Sequence, residues 1–384
     1  MDMIKIGFIV NNLVVGGVSK VLIDLCNHLP KEKFEIHLLV LSSEQEMLKQ
    51  MSLNENVKIH TFKYDFNQSY SLYSYLKNSF YLKGSAARAQ PVIEKALALN
   101  LAILHFHTLP RQLVIGILAR KKIPHLKLVF TDHLVRFPKG QYRLYQKNLL
   151  AIAYNKLYRE CYVITVSKAV FDNVMENKLI ANHNQIKLLP NSIKIENYRR
   201  SKNIASIAEN RFIYVARINH HKGQDTLIEA WKLIKNPNKG KLFIVGPDES
   251  DGRIPGLAKN DHSIVFTGSI SNINEFLDNS TVAIFPSQQE GLPISLLEKM
   301  AYELPVICSN IPELTSIIED QKHGLHFELD NIDQLAEKLE YAINHKNELI
   351  EMGKNARIKV EKICQENDPV SFHEELYFRL ANTK

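Results

Sequence analysis

Two glutamates, Glu290 and Glu298, stand eight positions apart around a Gly-Leu-Pro turn in the stretch PSQQEGLPISLLEKMAYELPVICS, residues 286–309. Proline suits the start of a helix, and apolar residues at helical spacing follow it. The sequence therefore predicts a helix that begins near Leu292 or Pro293. One acid then lies on the loop before this helix, and the other lies in its second turn.

The start of this helix is a predicted anion site. Its first backbone N–H groups, from Ile294 and Ser295, lack partners within the helix and can donate to a phosphate. Glu298 lies on the same side of the helix as Ile294. The two acids could therefore accept hydrogen bonds from hydroxyls on either side of that phosphate, as a sugar, a diphosphate and a ribose would present them. Taken singly, either glutamate would be an ordinary surface residue.

Two cations follow another predicted strand. In VARINHHKGQDTLIEAW, Arg217 ends the strand and Lys222 comes five residues later, next to Gly223. A planar guanidinium and a mobile ammonium could together neutralise a diphosphate that gains charge as it leaves. The alternative is a pair of solvated cations on a surface loop.

Two adjacent glycines, Gly16 and Gly17, open the first predicted helix in NNLVVGGVSKVL. They either let a ligand approach the backbone closely or form a simple tight turn. The dinucleotide pattern GxGxxG and the Walker A pattern do not occur in the chain. Their absence argues against an NAD enzyme and a P-loop ATPase.

Short apolar runs, typical of buried strands, alternate along the chain with segments long enough for helices. The runs are residues 4–10, 101–107, 127–133 and 161–167 in the first half, and 211–217, 241–246, 263–268, 281–287 and 304–309 in the second. Because parallel strands need such crossovers, the pattern predicts an α/β protein with two doubly wound, Rossmann-like domains that face each other across a cleft. Ligands are expected at the carboxyl ends of the strands.

The length of 384 residues also favours two domains, because a single core stops growing near about 250–300 residues. A polar, weakly patterned linker falls near residues 195–208. We expect an N-terminal domain over residues 1–195 and a C-terminal domain over residues 196–369. A final helix at residues 370–384 is expected to pack back on the first domain.

The composition is that of an ordinary globular protein, with 45% hydrophobic and 23% charged residues. The four cysteines are widely separated and form no zinc-site pattern, so we expect a reducing compartment and no structural metal. The sequence has no visible signal peptide and no apolar run of about 18 residues. These features favour a cytoplasmic protein, or one that contacts the inner face of the cytoplasmic membrane peripherally.

The net charge of +7 is unevenly distributed. Residues 1–200 carry 28 Lys and Arg against 14 Asp and Glu, whereas the remaining residues carry 20 against 27. Two segments of the basic half, Phe62–Ala87 and Arg136–Arg159, interleave Tyr and Phe with Lys and Arg. They either contact an anionic membrane or are half-buried surface helices. The chain has no nucleic-acid motif, so nucleic acid is not an expected partner.

Taken together, these stretches resemble the retaining glycosyltransferases of family 4, nucleotide-sugar-dependent enzymes of the GT-B fold. EGLPISLLE is similar to the paired-glutamate motif of that family, VARINHHKGQDTLIEA to its arginine-lysine loop, and IVFTGSI to its nucleobase strand. KLLPNSI, FTDH and VVGG match weaker signals of its N-terminal domain. The resemblance spans nearly the whole chain and is strongest over residues 210–330.

The resemblance implies a role for each candidate residue. Glu298 would hold the ribose hydroxyls, Arg217 and Lys222 the diphosphate, and Glu290 the donor sugar near the reacting carbon. Ile270 would lie against the base, and Gly16 and Gly17 would close over the donor. The donor phosphate and sugar would also contact the backbone of Gly291, Leu292, Pro293, Ile294 and Ser295. His133 matches a family histidine that faces the donor sugar, although by itself it reads as a strand-end histidine that caps a neighbour.

The resemblance also implies a reaction. A hexose or N-acetylhexosamine would pass, with retention of configuration, from a nucleotide sugar, UDP being favoured, to a hydroxyl of a glycan or lipid-linked glycan in bacterial surface polysaccharide assembly. The chain has no DxD motif to hold a metal, so we expect no metal and no cofactor besides the nucleotide-sugar co-substrate. Two alternatives stay open: a nucleotide-sugar epimerase of the same fold, and a non-catalytic partner subunit that binds nucleotide sugar.

Overall fold

The computed structural model describes residues 3–14, 16–42, 48, 53–64, 80–137, 144–270 and 272–383. The chain divides into two compact units, one of Met1–Pro190 with Asp368–Lys384 and the other of Asn191–Asn367. Residues 65–79 and 138–143, which belong to the two basic and aromatic segments, lie outside the described residues. Within the described ranges, no helix is long and apolar enough to cross a membrane.

The described part of the first unit contains a seven-stranded parallel sheet. Its strands are β1 (Ile4–Val10), β2 (Phe34–Val40), β3 (Val57–Thr61), β4 (Ile103–His107), β5 (Lys127–Asp132), β6 (Tyr162–Thr165) and β7 (Ile186–Leu188). They lie in the order β3-β2-β1-β4-β5-β6-β7. The helices between them are α1 (Gly17–His28), α2 (Phe80–Ala98), α3 (Leu113–Arg120), α4 (Leu144–Tyr158) and α5 (Lys168–Glu176).

Both faces of this sheet are covered. Along β1, the side chains of Phe8 and Val10 belong to one apolar cluster, whereas that of Ile9 belongs to another. Alternate residues of a strand point to opposite faces, so a parallel strand that is buried on both sides reads as a continuous apolar run. This is why the strand is visible in the sequence.

The described part of the second unit contains a six-stranded parallel sheet. Its strands are β8 (Arg211–Val215), β9 (Lys241–Val245), β10 (Ile264–Gly268), β11 (Val282–Phe285), β12 (Val306–Ser309) and β13 (Gly324–Phe327), in the order β10-β9-β8-β11-β12-β13. The helices are α6 (Gln224–Leu233), α7 (Arg253–Leu257), α8 (Ile273–Asp278), α9 (Ile294–Ala301), α10 (Pro312–Thr315), α11 (Ile332–Asn344) and α12 (Lys346–Glu366). The strand order reverses between β8 and β11, and a ligand site is expected beyond the carboxyl ends of strands at such a point.

The last helix, α13 (Pro369–Asn382), belongs to the first unit. It starts at Asp368, whose carboxylate accepts hydrogen bonds from the N–H groups of Val370 and Ser371. Leu376 and Tyr377 of this helix lie in the same apolar cluster as Phe8. The prediction of an α/β fold with two doubly wound parallel sheets is confirmed.

Candidate active site

Glu290 lies on the loop between β11 and α9, at the carboxyl edge of the second sheet. The helix begins at Ile294, slightly later than the sequence predicts, because Pro293 is extended, with φ −70° and ψ 123°, and forms the N-cap. No side chain of the described residues caps this end of α9 by a hydrogen bond. The first N–H groups, from Ile294 and Ser295, have no acceptor within the helix and can donate to an anion.

Two hydrogen bonds hold the start of α9 in place. The Ser295 hydroxyl donates to the carbonyl of Val215, the last residue of β8, at 3.2 Å. The side-chain amide of Asn191, in the segment KLLPNSI, donates to the carbonyl of Leu292 at 2.8 Å. Neither bond uses an N–H group of the helix start, so those groups stay available to a ligand.

Lys222 and Glu290 form an ion pair, with Nζ 2.6 Å from Oε1. Both side chains are largely buried, at 21% and 9% exposure. Lys222 ends a short 3-10 helix, His220–Lys222, in the loop after β8. The loop after β11 is joined to this turn, because the N–H of Gln288 donates to the carbonyl of His221 at 3.0 Å. The ends of two neighbouring strands thus bring these candidates together.

Gly223 allows the close approach of these two loops. Its φ is +68°, and a Cβ at this position would lie 2.1 Å from the carbonyl oxygen of Pro286. The buried hydroxyl of Tyr214 donates to the carbonyl of Lys222 at 2.9 Å. Burial, followed by the charge of Glu290, raises the pKa of Tyr214, so this hydroxyl keeps its proton at neutral pH.

Glu298 lies in the second turn of α9 and is 5% exposed. Its Oε1 accepts a hydrogen bond from the hydroxyl of Tyr198 at 3.1 Å, and its Oε2 lies 3.4 Å from Nζ of Lys299. Lys299 is only 1% exposed, so this carboxylate compensates a buried cation. Each of the two predicted glutamates therefore has its own lysine.

Arg217 has a different carboxylate partner from Lys222. Its Nη1 lies 2.8 Å from Oε1 of Glu249, and Asn219 donates to the other oxygen of Glu249 at 2.9 Å. The Arg217 side chain is 42% exposed. Ile270, the candidate for the base contact, is partly buried and follows β10. The structure thus places Arg217 on the same loop as Lys222 but outside the Lys222–Glu290 pair.

The glycine pair lies at the start of α1 in the first unit. Gly16 is the N-cap, with an extended backbone of φ 170°, and Gly17 is the first residue of the helix. A Cβ added at Gly16 would meet no described heavy atom within 4 Å. Packing within the described residues therefore does not require glycine at position 16. The space beside the start of the helix is open.

His133 follows β5 in the first unit, where it is partly exposed. The preceding residue, Asp132, is fully buried and accepts hydrogen bonds from Arg136 at 2.5 Å and from the hydroxyl of Tyr158. The N–H of Leu134 also donates to Asp132, at 3.4 Å. This network fixes the turn that carries His133. The network was not predicted from the sequence. The available signal was that Asp132 is the only acidic residue between positions 101 and 150.

A second histidine contacts His133. His107, the last residue of β4, has its Nδ1 3.0 Å from Nε2 of His133. Burial, followed by the positive charge of Arg136, lowers the pKa of His133 to about 3. The His133 ring is therefore neutral at physiological pH, and it shares a hydrogen bond with a neighbour that sequence reasoning did not single out.

Glu313 is a further carboxyl group that the sequence analysis missed. It lies at the start of α10 and is 4% exposed. Burial, together with the charge of Glu290, raises its pKa to about 7. Its signal in the sequence is an acid directly after the proline that opens a helix. In the part of the chain that the structure describes, no group of three or more His, Cys, Asp or Glu side chains could hold a metal ion.

Two family models match the chain, one on each half. Glycosyltransferase Family 4 matches residues 15–197, and Glycosyl transferases group 1 matches residues 195–359. An uncharacterized glycosyltransferase of Haemophilus influenzae is 23% identical over 375 residues, which cover 94% of this chain and 98% of that protein. The capsular polysaccharide biosynthesis glycosyltransferase CapH of Staphylococcus aureus is 26% identical over 353 residues, 86% of this chain and 88% of CapH.

The fold is similar to that of HepE from Anabaena, solved in complex with UDP and glucose. The TM-score is 0.76 at 18% identity, over 99% of this chain and 100% of that chain. The two family models follow one another along the chain and together span residues 15–359. The chain is therefore a glycosyltransferase, and its two α/β units have the GT-B fold of these enzymes.

Proposed function

We propose that this glycosyltransferase moves a hexose or N-acetylhexosamine from a UDP-sugar to a hydroxyl of a glycan or lipid-linked glycan, with retention of configuration, in bacterial surface polysaccharide assembly. The observation that carries the proposal is the ion pair of Lys222 and Glu290 beside the open N-terminus of α9. The complex of HepE with UDP and glucose supports UDP as the nucleotide. The similarity to CapH supports a polysaccharide product.

In this proposal the donor diphosphate lies at the start of α9. The N–H groups of Ile294 and Ser295 donate to it, and Lys222 supplies a cation. Arg217 supplies a second cation by exchanging Glu249 for phosphate. The exchange is inexpensive, because an exposed ion pair of this kind contributes only about 0–1 kcal/mol.

The two glutamates bind the parts of the donor on either side of the diphosphate. Glu290 accepts hydrogen bonds from hydroxyls of the sugar, and Glu298 accepts them from the ribose. Glu298 lies four residues beyond Ile294, about 6 Å along the helix axis, which is the scale of one sugar unit. The base lies against Ile270, and the backbone of residues 291–295 follows the donor sugar and phosphate.

Cationic side chains are proposed to do the work for which other glycosyltransferases use a metal. Lys222, Arg217 and the dipole of α9 stabilise the negative charge that develops on the departing UDP, while the acceptor hydroxyl attacks. In the first unit, His133 is proposed to contact the donor sugar, and Gly16 and Gly17 to leave room for it.

The first unit also carries a surface suited to an anionic, lipid-linked acceptor. On α4, the side chains of Tyr145, Leu149 and Ile152 are 59%, 39% and 52% exposed. Lys156, which is also exposed, continues the same side of the helix four residues after Ile152, and the exposed Arg159 follows directly after the helix ends. We call this side the α4 outer face. An apolar stripe with a basic end suits the headgroup region of an anionic membrane, and we propose peripheral contact there.

The test is a screen of nucleotide sugars with a glycan or lipid-linked acceptor. We expect UDP release and a glycosylated acceptor, and proton NMR of the product should show the anomeric configuration of the donor. Conversion of a UDP-sugar without acceptor would indicate an epimerase. Stabilisation by UDP with no turnover on any acceptor would indicate a binding subunit. Either result would contradict the proposal.

A further inference from the structure

Two histidines at the carboxyl ends of adjacent strands of the first sheet are in direct contact: His107 ends β4, and His133 follows β5. Nδ1 of His107 lies 3.0 Å from Nε2 of His133, and the ring planes are tilted by 38°. His107 is 4% exposed, whereas His133 is partly exposed. The buried ring of His107 thus presents one nitrogen to the ring of His133, and the His133 ring can reach a ligand.

Only one proton lies between these two nitrogens. Burial lowers the pKa of His107 well below its ordinary value, and it lowers the pKa of His133 as well, so both rings are neutral near pH 7. A neutral imidazole has one N–H donor and one acceptor nitrogen. Either His107 donates to His133 or His133 donates to His107, and the choice decides which nitrogen of His133 carries its proton.

The surroundings of His107 decide between these two arrangements. Its Nε2 is buried and has no hydrogen-bond partner among the described residues. The neighbouring His105 differs, because its Nδ1 bonds the hydroxyl of Tyr377 at 2.6 Å and its Nε2 bonds Thr131 at 2.7 Å. A buried N–H without an acceptor is rarer in proteins than a buried acceptor without a donor. The favoured tautomer of His107 therefore keeps Nε2 bare and carries its proton on Nδ1.

We propose that His107 is a positioning residue that donates from Nδ1 to Nε2 of His133 and so holds His133 in the tautomer protonated on Nδ1. This inference rests on the proposed function, in which His133 contacts the donor sugar. His133 then offers a neutral N–H donor to an oxygen of the ligand, not a basic nitrogen. Asp132 holds the adjoining backbone through the N–H of Leu134, so His133 is fixed from both sides.

The tautomer can be read directly in the full chain labelled with ¹⁵N-histidine. Two-bond proton–nitrogen correlations distinguish a ring protonated on Nδ1 from one protonated on Nε2, and the His133 signal is assigned by its loss in His133→Gln. We expect His133 to be protonated on Nδ1 in the native chain. A signal from the tautomer protonated on Nε2 would overturn the proposal without any variant at position 107.

Variants at position 107 test the origin of this preference. In His107→Leu, which removes the donor, we expect the tautomer protonated on Nε2 to become prominent in His133. In His107→Asn, whose short amide can replace the Nδ1 donor, we expect the native tautomer. His105→Leu is the control, since His105 is a buried histidine of the same strand that makes no hydrogen bond to His133. If it changes the His133 tautomer as much as His107→Leu does, the effect is a general disturbance of the core and the proposal is wrong.

Kinetics then connect the tautomer to the reaction. We expect His107→Leu to lower kcat about 10- to 100-fold with little change in KM for the donor, and His107→Asn to recover most of it. Equal losses in both variants, or a change in KM alone, would contradict the positioning role. Failure of the proposed function would have a different result, because the chain would transfer no sugar while the ¹⁵N spectrum still reported the tautomer.

Discussion

The ammonium of Lys222 lies 2.6 Å from the carboxylate of Glu290, although 68 positions separate them in the chain. The two residues follow β8 and β11, which are neighbours in the sheet. Both side chains are largely buried, so each one is the main charge partner of the other. Removal of either residue should therefore change both the chemistry of the site and the stability of the second unit.

We expect Lys222→Met to lower kcat for sugar transfer about 100-fold, because a preorganised positive charge next to the departing diphosphate is lost. The measurement is UDP release at saturating donor and acceptor. The circular dichroism spectrum should remain that of the native chain. Native kcat in this variant would show that Lys222 does not stabilise the leaving group.

The stability effect of this pair is separable by a double-mutant cycle. Lys222→Met leaves the carboxylate of Glu290 buried without its cation, Glu290→Gln leaves the ammonium of Lys222 without its carboxylate, and the double variant removes both charges. We expect a coupling free energy of about 1–3 kcal/mol in urea denaturation. A coupling near zero would mean that the contact contributes nothing to stability.

Glu298 should control nucleotide affinity more than turnover. Glu298→Gln replaces a charged acceptor of the ribose hydroxyls, so we expect UDP to bind about 10- to 100-fold more weakly in calorimetry. Tyr198→Phe, which removes only the hydroxyl that donates to Glu298, should have a smaller effect. Glu340→Gln, an exposed acid on α11, is the control. Equal affinity of the Glu298→Gln and native chains would remove Glu298 from the nucleotide site.

Most of the fold could be predicted because buried parallel strands are continuous apolar runs. The predicted run at residues 127–133 became β5, Lys127–Asp132. Strand β2, FEIHLLV, was not predicted, because Glu35 and His37 interrupt the apolar pattern. His37 is nevertheless fully buried, because its Nδ1 bonds Nε2 of His60 on the adjacent strand at 3.1 Å. Such cross-strand partners cannot be read from a single segment.

The arrangement of the candidate site was partly predictable for a different reason. Glu290 and Glu298 lie in one continuous segment, so their spacing alone suggested a shared ligand. Their lysine partners required the folded chain. Lys222 reaches Glu290 only because β8 and β11 are adjacent. The sequence alone suggests that Lys299 is an exposed lysine of a helix, whereas in the structure it is buried.

Gly223 should be intolerant of any side chain. Gly223→Ala would place a Cβ 2.1 Å from the carbonyl oxygen of Pro286 at a φ of +68°. We expect a loss of about 1–3 kcal/mol in stability and a lower kcat, because the turn that carries Lys222 must move. Gly256→Ala in α7 is the matched control, since no heavy atom of the described residues lies within 4 Å of its Cβ. Equal stability of both variants would contradict the strain argument.

Acid should destabilise the first unit through two histidines whose pKa is lowered in the folded chain, His133 and His373. Burial lowers the pKa of His133 to about 3 and that of His373 to about 4, whereas an unfolded histidine has a pKa of about 6.5. The folded state therefore binds fewer protons, so the stabilisation is complete above pH 6.5 and decreases as the pH falls toward 3. Urea midpoints measured from pH 7 to pH 4 should fall less steeply in His373→Leu than in the native chain. His262→Leu, which changes an exposed histidine, should keep the native slope, and equal slopes in all three chains would contradict this assignment.

We expect the α4 outer face to mediate the proposed membrane contact. We expect the double variant Leu149→Ser and Ile152→Ser to bind anionic phospholipid vesicles several-fold more weakly than the native chain in sedimentation, because it removes the apolar stripe. Lys156→Glu should weaken binding to anionic vesicles but not to neutral ones, and added salt should reduce the difference.

Ile358→Ser is the matched control for this surface, since Ile358 is 64% exposed on α12 of the second unit. This substitution removes a comparable apolar side chain from a helix of the second unit. The variant should therefore sediment with anionic vesicles as the native chain does. If Ile358→Ser weakens vesicle binding as much as the α4 variant, exposed apolar area in general drives the association. The α4 outer face would then be an ordinary solvent-exposed surface, and a lipid-linked acceptor would have to be recognised elsewhere on the protein.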